Sequence, residues 1–238
     1  MKPAKFQIAL VTGSNKGIGE AIATGLAAEG YTVLITSRSL AKAVAVAQRL
    51  TQDGGKAYGF ELDVTNEEAV DHFAQQILNQ FGQVDILVNN AGIALDQWVQ
   101  GQNLDLDYMR ETFAVNVFAP LHLIQKFLPQ MKKQAFGRIV NVSSELGSLE
   151  TMEMAGTVAY RSSKTALNAV TKLLALEIED GEDIQINAAC PGWVKTALGG
   201  PEAPRSPKEG ADTALWLATQ PKNGPNGKLF RDRSLYPW

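Results

Sequence analysis

Tyr160 and Lys164 stand four positions apart in the stretch AYRSSKTALNAVTKLLALEIED, whose pattern predicts a helix. Residues at i and i+4 share one face of a helix, so the lysine ammonium can act on the tyrosine phenol. A phenol has an ordinary pKa of roughly 10, and a nearby cation lowers it. The pair predicts a proton donor usable near neutral pH, although the same spacing also occurs at ordinary amphipathic helix edges.

A serine hydroxyl upstream of this pair could complete the chemistry of a carbonyl reduction. Such a reaction delivers a hydride to carbon and a proton to oxygen, and negative charge develops on that oxygen. Ser144 follows the apolar run GRIVNV, and the carboxyl ends of strands face the ligand crevice in open α/β sheets. Its hydroxyl could hold the carbonyl oxygen, and the neighbouring Ser143 is the alternative donor.

The stretch VTGSNKGIGEAI sets Gly13, Gly17 and Gly19 between an apolar run and a helical pattern. Glycines in that position let the backbone approach a pyrophosphate and direct the helix N-terminus at its charge. The loop therefore predicts a dinucleotide cradle. A tight strand-to-helix connection is the alternative, and the spacing is T-G-x-x-x-G-x-G rather than G-x-G-x-x-G.

Six apolar runs that alternate with helix-length amphipathic segments must position these residues. Near-continuous apolar strands, each followed by a helix, indicate a parallel sheet covered on both faces. We therefore expect an α/β fold with a single doubly wound, Rossmann-type parallel sheet. The runs are FQIALV, YTVLIT, AYGFEL, VDILVNN, GRIVNVS and IQINAA.

The helical segments between these runs have clear start and stop signals. Gly30 is placed as a C′ glycine after the first helix, and Gly82 ends a helix that Thr65 or Asn66 begins. The prolines and paired glycines of WVKTALGGPEAPRSPKEG cannot form an ordinary helix interior. That segment is either a mobile loop over a pocket or an irregular connection.

Length and composition limit the number of domains and the classes of partner. The 238 residues suit one domain, residues 1–238, and a net charge of −3 offers no basic surface for nucleic acid. The apolar run within residues 1–13 is too short for a signal peptide or a membrane span, which predicts a cytoplasmic protein without a membrane partner. Cys190, His72 and His122 give no metal-ligand spacing, so no metal site is expected.

The spacing of the glycine loop resembles that of the short-chain dehydrogenase/reductase family, and six further motifs agree with this family in order. The resemblance extends over essentially the whole chain from Ile8. The motifs are LDV at 62–64, NNAG at 89–92, VNV at 115–117, NVSS at 141–144, YRSSK at 160–164 and CPGWVKT at 190–196.

The resemblance implies a catalytic tetrad of Asn116, Ser144, Tyr160 and Lys164. In this family the second serine is the working one, the lysine also binds the nicotinamide ribose, and the asparagine holds a water for proton resupply. Asn116 could instead bond to neighbouring backbone within its own segment, ETFAVNVFAPLHLI. The implied cofactor-binding residues, besides Tyr160 and Lys164, are Gly13, Asn15, Lys16, Gly17, Ile18, Gly19, Arg38, Asp63, Val64, Asn90, Ala91, Gly92, Pro191, Gly192, Val194 and Thr196.

The residues after the second predicted strand indicate NADPH as the cofactor. Ser37 stands where NAD-dependent relatives place an acidic residue for the ribose 2′-hydroxyl, and Arg38 follows it. A guanidinium can donate two parallel bonds to a 2′-phosphate, and Lys16 could reach the same group from the glycine loop. Asn15 is expected to steady the loop through its own backbone.

Within the family, the sequence resembles NADPH-dependent carbonyl reductases, which implies a small ketone, aldehyde or quinone as substrate. Two further hypotheses are a 3-oxoacyl thioester reductase of fatty-acid synthesis, for which Lys195 and Arg205 could recognise an acidic carrier, and a non-catalytic NADP(H) sensor. The stretch between Ser144 and Tyr160 lacks the long insertion of monomeric animal carbonyl reductases. A homodimer or homotetramer is therefore expected, with the apolar residues of NAVTKLLALEI at the interface or in the protein's own core.

Overall fold

Strands and helices alternate along the chain in the computed structural model, which describes residue 4 and residues 7–238. The strands are β1 Ile8–Val11, β2 Thr32–Ser37, β3 Lys56–Glu61, β4 Ile86–Asn89, β5 Phe136–Val142, β6 Asp183–Cys190, β7 Leu229–Arg231 and β8 Ser234–Tyr236. The helices are α1 Gly17–Ala28, α2 Leu40–Gln52, α3 Glu67–Phe81, α4 Leu106–Phe113, α5 Ala119–Lys133, α6 Val158–Leu176 and α7 Pro207–Ala218.

All these strands belong to one sheet in the order β3-β2-β1-β4-β5-β6-β7-β8. Pairing is parallel from β3 through β7, and only β7 with β8 is antiparallel among the described strands. The strand order reverses between β1 and β4, which opens a crevice at their carboxyl ends. The predicted doubly wound, Rossmann-type α/β fold is confirmed.

The core lies in two layers, one on each face of the sheet. Helices α1, α2 and α7 bury one set of apolar side chains, which includes Ile22, Leu26 and Leu217. Helices α3, α5 and α6 cover the other face, where Phe73 and Phe127 are buried. Coverage on both faces explains why the central strands are apolar at nearly every position.

The predicted helix signals are found where the sequence places them. Asn66 caps α3, because its side chain accepts a hydrogen bond from Ala69 N at 3.0 Å. Gly82 ends α3 with a φ of 78°, and Gly30 follows α1 with a φ of 91°, a conformation that favours glycine. These turns fix where the next strand enters the sheet.

Several features differ from the sequence-based expectation. β7 and β8 were not predicted, since three-residue strands carry too short a pattern. β3 is an edge strand with its residues exposed or partly exposed, so it is not a fully buried strand. Phe6 of the first predicted strand lies outside the described residues, and β1 begins at Ile8.

The proline-rich segment after β6 is an irregular connection with its own hydrogen bonds. Lys195 N donates to Arg205 O at 2.8 Å, and the Trp193 indole donates to Gly199 O at 2.7 Å. Ser206 then forms a capping box with Glu209 at the start of α7. The segment between β6 and α7 thus folds back on itself.

Candidate active site

Helix α6 holds Tyr160 and Lys164 on the face that packs towards the sheet. The Lys164 side chain is buried, and its Nζ lies 5.7 Å from the Tyr160 ring centroid and donates to Val142 O at 2.7 Å. Val142 is the last residue of β5, so the ammonium is anchored at the carboxyl end of that strand. Burial lowers the pKa of Lys164 to about 8.

The ionisation of Tyr160 differs from the sequence-based prediction. Burial raises its pKa to about 12, and its hydrogen bond with Ser144 offsets only part of that rise. The prediction that Lys164 lowers this pKa is wrong for this geometry, because the ammonium is directed at the Val142 carbonyl. Tyr160 is therefore a protonated phenol at neutral pH.

The two neighbouring serines after β5 have different partners. Ser143 is buried and its hydroxyl donates to Asn168 Oδ1 at 2.6 Å. Ser144 begins a single 3₁₀ turn, accepts a hydrogen bond from Leu146 N at 3.1 Å, and is hydrogen-bonded to the Tyr160 phenol. Of the two hydroxyls, the one of Ser144 lies beside Tyr160.

Asn116 is fully buried in a π-helical stretch, Ala114–Phe118, between α4 and α5. Its Oδ1 accepts from Ile93 N at 3.0 Å, and its Nδ2 donates to Ile93 O at 2.9 Å and to Ser163 Oγ at 3.0 Å. Ser163 Oγ donates in turn to Tyr160 O at 2.7 Å. The alternative that Asn116 bonds only within its own helix is wrong, and π-bulges of this kind are frequent at functional sites.

The glycine loop ends in a helix N-terminus without a side-chain cap. Helix α1 begins at Gly17, and Lys16 at the N-cap position makes no side-chain capping bond. Gly13 and Gly17 have φ values of 60° and 61°, which let the loop turn sharply into the helix. Backbone N–H groups of the first turn, at Gly17, Ile18 and Gly19, are therefore available to an anion.

The loop after β4 packs directly against the glycine loop. Asn90 Nδ2 donates to Thr12 O at 2.8 Å and to Gly13 O at 3.2 Å, and a Cβ added at Gly19 would lie 2.3 Å from that Nδ2. Thr12 Oγ1 accepts from Asn90 N at 2.9 Å and from Ala91 N at 3.0 Å. Thr12 was not among the predicted site residues, because its one sequence signal is its place between the strand and the first glycine.

Gly92 connects this loop with the tetrad. A Cβ at Gly92 would lie 3.4 Å from Asn116 Oδ1 and 3.6 Å from Lys164 Nζ. The loop after β4 therefore connects the start of α1, which Asn90 contacts, with the tetrad residues that Gly92 contacts.

The far end of the crevice, beyond β2, carries the residues expected to choose the cofactor. Ser37 is buried and Arg38 is exposed. Hydrogen bonds from Thr65 and the charge of Arg38 lower the pKa of Asp63, so Asp63 is ionised at neutral pH. Lys16 is exposed on the glycine loop.

The remaining predicted residues line or support the crevice. Gly192 has a φ of 72°, and a Cβ at Gly17 would lie 3.2 Å from Thr196 Cγ2, so the loop after β6 meets the glycine loop. Pro191 is partly exposed and Val194 is buried. Asn15 is partly exposed on the glycine loop, and the partly buried Ile18 and Val64 pack against the two core layers.

Two ion pairs lie beside residues of the candidate site. Glu145, which follows Ser144, forms an ion pair with Arg231. Arg205 donates to Asp232 Oδ1 at 2.6 Å.

In residues 7–238 and residue 4 no group of three or more His, Cys, Asp or Glu side chains could hold a metal ion. Nor is any helix in that part of the chain long and apolar enough to cross a membrane.

A family model described as short chain dehydrogenase matches residues 7–206. The chain belongs to the short-chain dehydrogenase family. Carbonyl reductase (NADPH) 1 of Mus musculus is 30% identical over 278 aligned positions, which cover 97% of this chain and 98% of the mouse protein. A 3-oxoacyl-(acyl-carrier-protein) reductase of Aquifex aeolicus is 40% identical over 193 positions, 81% of this chain and 75% of the relative.

Two solved structures of oxidoreductases are similar to this chain in fold and in sequence. A metagenomic short-chain oxidoreductase in complex with NADP superposes with a TM-score of 0.80 and 32% identity, covering 95% of this chain and 97% of that one. An alcohol dehydrogenase from Thermococcus sibiricus, complexed with 5-hydroxy-NADP, gives a TM-score of 0.83 at 27% identity over 94% of this chain and 95% of that one. This short-chain dehydrogenase is therefore an oxidoreductase by family.

Proposed function

We propose that this protein is an NADPH-dependent oxidoreductase that reduces a ketone, aldehyde or quinone carbonyl to an alcohol. The observation that carries the proposal is the juxtaposition of the Ser144 hydroxyl, the Tyr160 phenol and the buried Lys164 at one end of the crevice. The similarity of this chain to a mouse carbonyl reductase and to NADP-bound oxidoreductases also supports the proposal. The cytoplasmic location expected from the sequence is part of the same proposal.

The residues of the crevice fit NADP(H). The uncapped start of α1 offers N–H donors to a pyrophosphate, and at Gly19 a side chain would close the gap between the two loops. Arg38 and Lys16 would hold the 2′-phosphate, and Ser37 presents no carboxylate to repel it. Lys164 and Tyr160 would lie along the nicotinamide ribose, and Pro191 and Gly192 along the ring.

Bound NADPH would supply the hydride that adds to the carbonyl carbon. Tyr160 then transfers its phenolic proton to the carbonyl oxygen, which yields the alcohol, NADP⁺ and a tyrosinate. Because the pKa of Tyr160 is about 12, the proton is present on the phenol throughout the neutral range. Ser144 donates a hydrogen bond to the same oxygen as charge develops there. Lys164 would bind the nicotinamide ribose hydroxyls, and Asn116 organises the supply of a new proton.

A 3-oxoacyl thioester reductase is the second candidate, supported by the 40% identity to the Aquifex aeolicus protein. Such an enzyme needs basic residues for an acidic carrier. Of the two named candidates, Arg205 is paired with Asp232, which neutralises its charge, while Lys195 is exposed. Because Arg205 is already paired, fewer basic side chains can bind an acidic carrier. We therefore favour the reduction of a small carbonyl compound.

A turnover screen tests the proposal. Ketones, aldehydes, quinones and an acetoacetyl thioester are each offered with NADPH and with NADH, and loss of the reduced cofactor is followed. We expect carbonyl-dependent oxidation of NADPH with small substrates. Turnover of the thioester alone would support the second candidate. Binding of NADPH without turnover of any carbonyl would support a non-catalytic sensor.

A further inference from the structure

Helix α6 carries Tyr160 and Lys164 but has no side-chain cap from its own segment. The residue at its N-cap position, Thr157, has a left-handed backbone with φ 55° and ψ 44° and makes no capping bond. The first backbone bond of the helix joins Arg161 N to Thr157 O at 3.0 Å. The N–H groups of the preceding turn therefore need partners from elsewhere.

Asp96, in the loop after β4, supplies these partners from 63 and 64 positions away in sequence. Its side chain is fully buried, and its oxygens accept from Ala159 N at 2.6 Å and from Tyr160 N at 3.3 Å. A buried carboxylate is tolerated only where it is hydrogen-bonded, and the positive end of a helix dipole stabilises it further. One of the two donors is the amide of Tyr160 itself.

The backbone of the same loop makes a second connection with the start of α6. Val99 N donates to Asp96 O at 3.1 Å, and Thr157 N donates to Val99 O at 3.2 Å. Gly92 of the same loop lies beside Lys164 Nζ. The loop therefore contacts the tetrad at Gly92 and holds the N-terminus of α6 through Asp96 and Val99.

We propose that Asp96 is a positioning residue, whose carboxylate fixes Tyr160 relative to the cofactor-binding loop after β4. The inference rests on the proposed carbonyl reduction. Hydride and proton must reach one carbonyl group from two different elements, so a small shift of α6 along its axis misaligns the phenol. A cap that only stabilised the helix would leave the turnover of the folded enzyme unchanged.

The variant Asp96→Asn tests this role. It keeps the size of the side chain but removes the charge and turns one acceptor into an NH₂ donor that faces a backbone N–H. We expect kcat per NADPH-binding site to fall by about 10- to 100-fold, since misplacement by about 1 Å can cost on the order of 10²-fold. The dissociation constant for NADPH should hardly change.

Asp105→Asn is the matched control. Asp105 caps α4 by accepting from Asp107 N at 2.9 Å, and α4 contains no proposed catalytic or cofactor-binding residue. This variant should keep the kcat of the unmodified enzyme. As a readout independent of turnover, the ring-carbon NMR signal of Tyr160, assigned with Tyr160→Phe, should shift in Asp96→Asn and not in Asp105→Asn.

An unchanged kcat per binding site in Asp96→Asn, or an unmoved Tyr160 signal, would overturn the proposal. If Asp96→Asn and Asp96→Ala both fail to fold, Asp96 is a structural cap and the proposal is again overturned. If the unmodified protein reduces no carbonyl compound, the proposed function fails separately. In that case the Tyr160 signal still decides whether Asp96 positions the phenol.

Discussion

The phenol of Tyr160 has to be a proton donor in an environment that opposes its ionisation. Replacing Tyr160 by Phe removes the proton and little else, so turnover should fall by roughly 10²- to 10⁴-fold. NADPH affinity should be nearly unchanged, because most contacts with the cofactor are assigned to other residues. Steady-state kinetics and a fluorescence titration with NADPH check this, with Tyr108→Phe on α4 as control. A Tyr160→Phe enzyme that retained kcat would refute the mechanism.

The depressed pKa of Lys164 has a consequence for stability. The pKa of Lys164 is about 8 in the fold, below its ordinary value of 10.5, so the unfolded chain binds more protons between those pH values. Stability should therefore rise with pH across this window and lose that gain as the pH falls towards 8. Between pH 7 and pH 9.5, Lys164 should raise the free energy of unfolding by about 2 kcal/mol.

Replacing Lys164 by Met should remove that rise and leave a protein more stable than the unmodified one near pH 7. Urea unfolding at pH 7 and pH 9.5, at fixed protein concentration, measures the free energy of unfolding of both proteins. Lys172→Met, on the same helix, is the control that should keep the pH dependence. If Lys164→Met and the unmodified protein gain stability equally with pH, Lys164 is not the group responsible.

Cofactor choice is also decided by single side chains. The double substitution of Ser37 by Asp and Arg38 by Ala adds a repulsion and removes charged hydrogen bonds worth about 1.5–3 kcal/mol. The KM for NADPH should rise by about 10-fold or more, and the preference over NADH should narrow or reverse. Lys42→Ala, an exposed cation on α2, should have little effect. Equal KM values for the two cofactors in the unmodified protein would contradict the assignment of Arg38 and Lys16.

Among the elements, the contact between the start of α1 and the loop after β4 tolerates no side chain. A Cβ at Gly19 would lie 2.3 Å from Asn90 Nδ2 and 2.7 Å from the backbone O of Gly13. Gly19→Ala should therefore push the two loops apart and weaken NADPH binding by about 10-fold or more, because hydrogen bonds from the start of α1 to the charged pyrophosphate, worth about 1.5–3 kcal/mol each, would be weakened. Isothermal titration with NADPH measures this.

Gly25 in the same helix provides the comparison. The three atoms nearest to a Cβ there belong to the side chain of Leu215, and the closest, at 2.6 Å, is the end of a flexible group. Gly25→Ala should keep NADPH affinity, because the leucine can move and alanine favours the helix. Equal affinities in the two variants would show that close packing at Gly19 does not shape the cofactor site.

At the scale of the whole molecule, we propose self-association as a homodimer or homotetramer. In the run NAVTKLLALEI, most of which lies in α6, Asn168, Thr171 and Ala175 are buried, whereas Leu173 and Leu176 are 60% and 67% exposed. Only part of the run therefore serves the protein's own core. Large apolar side chains exposed together mark interaction surfaces.

Light scattering should give a mass of at least twice 25.7 kDa. Leu173→Glu combined with Leu176→Glu should shift that mass towards the monomer, because two charges would be buried at the interface. Leu149→Glu, which changes an exposed leucine outside α6, is the control. A mass near 25.7 kDa for the unmodified protein would refute the assembly.

Local patterns in the sequence were enough to predict the sheet and the helix ends at Asn66 and Gly82. The order of the motifs along the chain was enough to recognise the family. Hydrophobic periodicity and turn residues act over a few positions, so they can be recognised without knowing the fold. The place of Ser144 at the carboxyl end of β5 followed from the same reasoning. β7 and β8 escaped because three residues are too few for a pattern.

Only the tertiary structure decided how these groups affect one another. Spacing on a helix put Lys164 near Tyr160, but burial and the Val142 carbonyl determined where the ammonium points and why the phenol's pKa rises. Asp96 had no sequence signal as a cap, since its partners lie more than sixty positions away. Desolvation and long-range hydrogen bonds depend on which segments meet, and local sequence patterns do not contain that information.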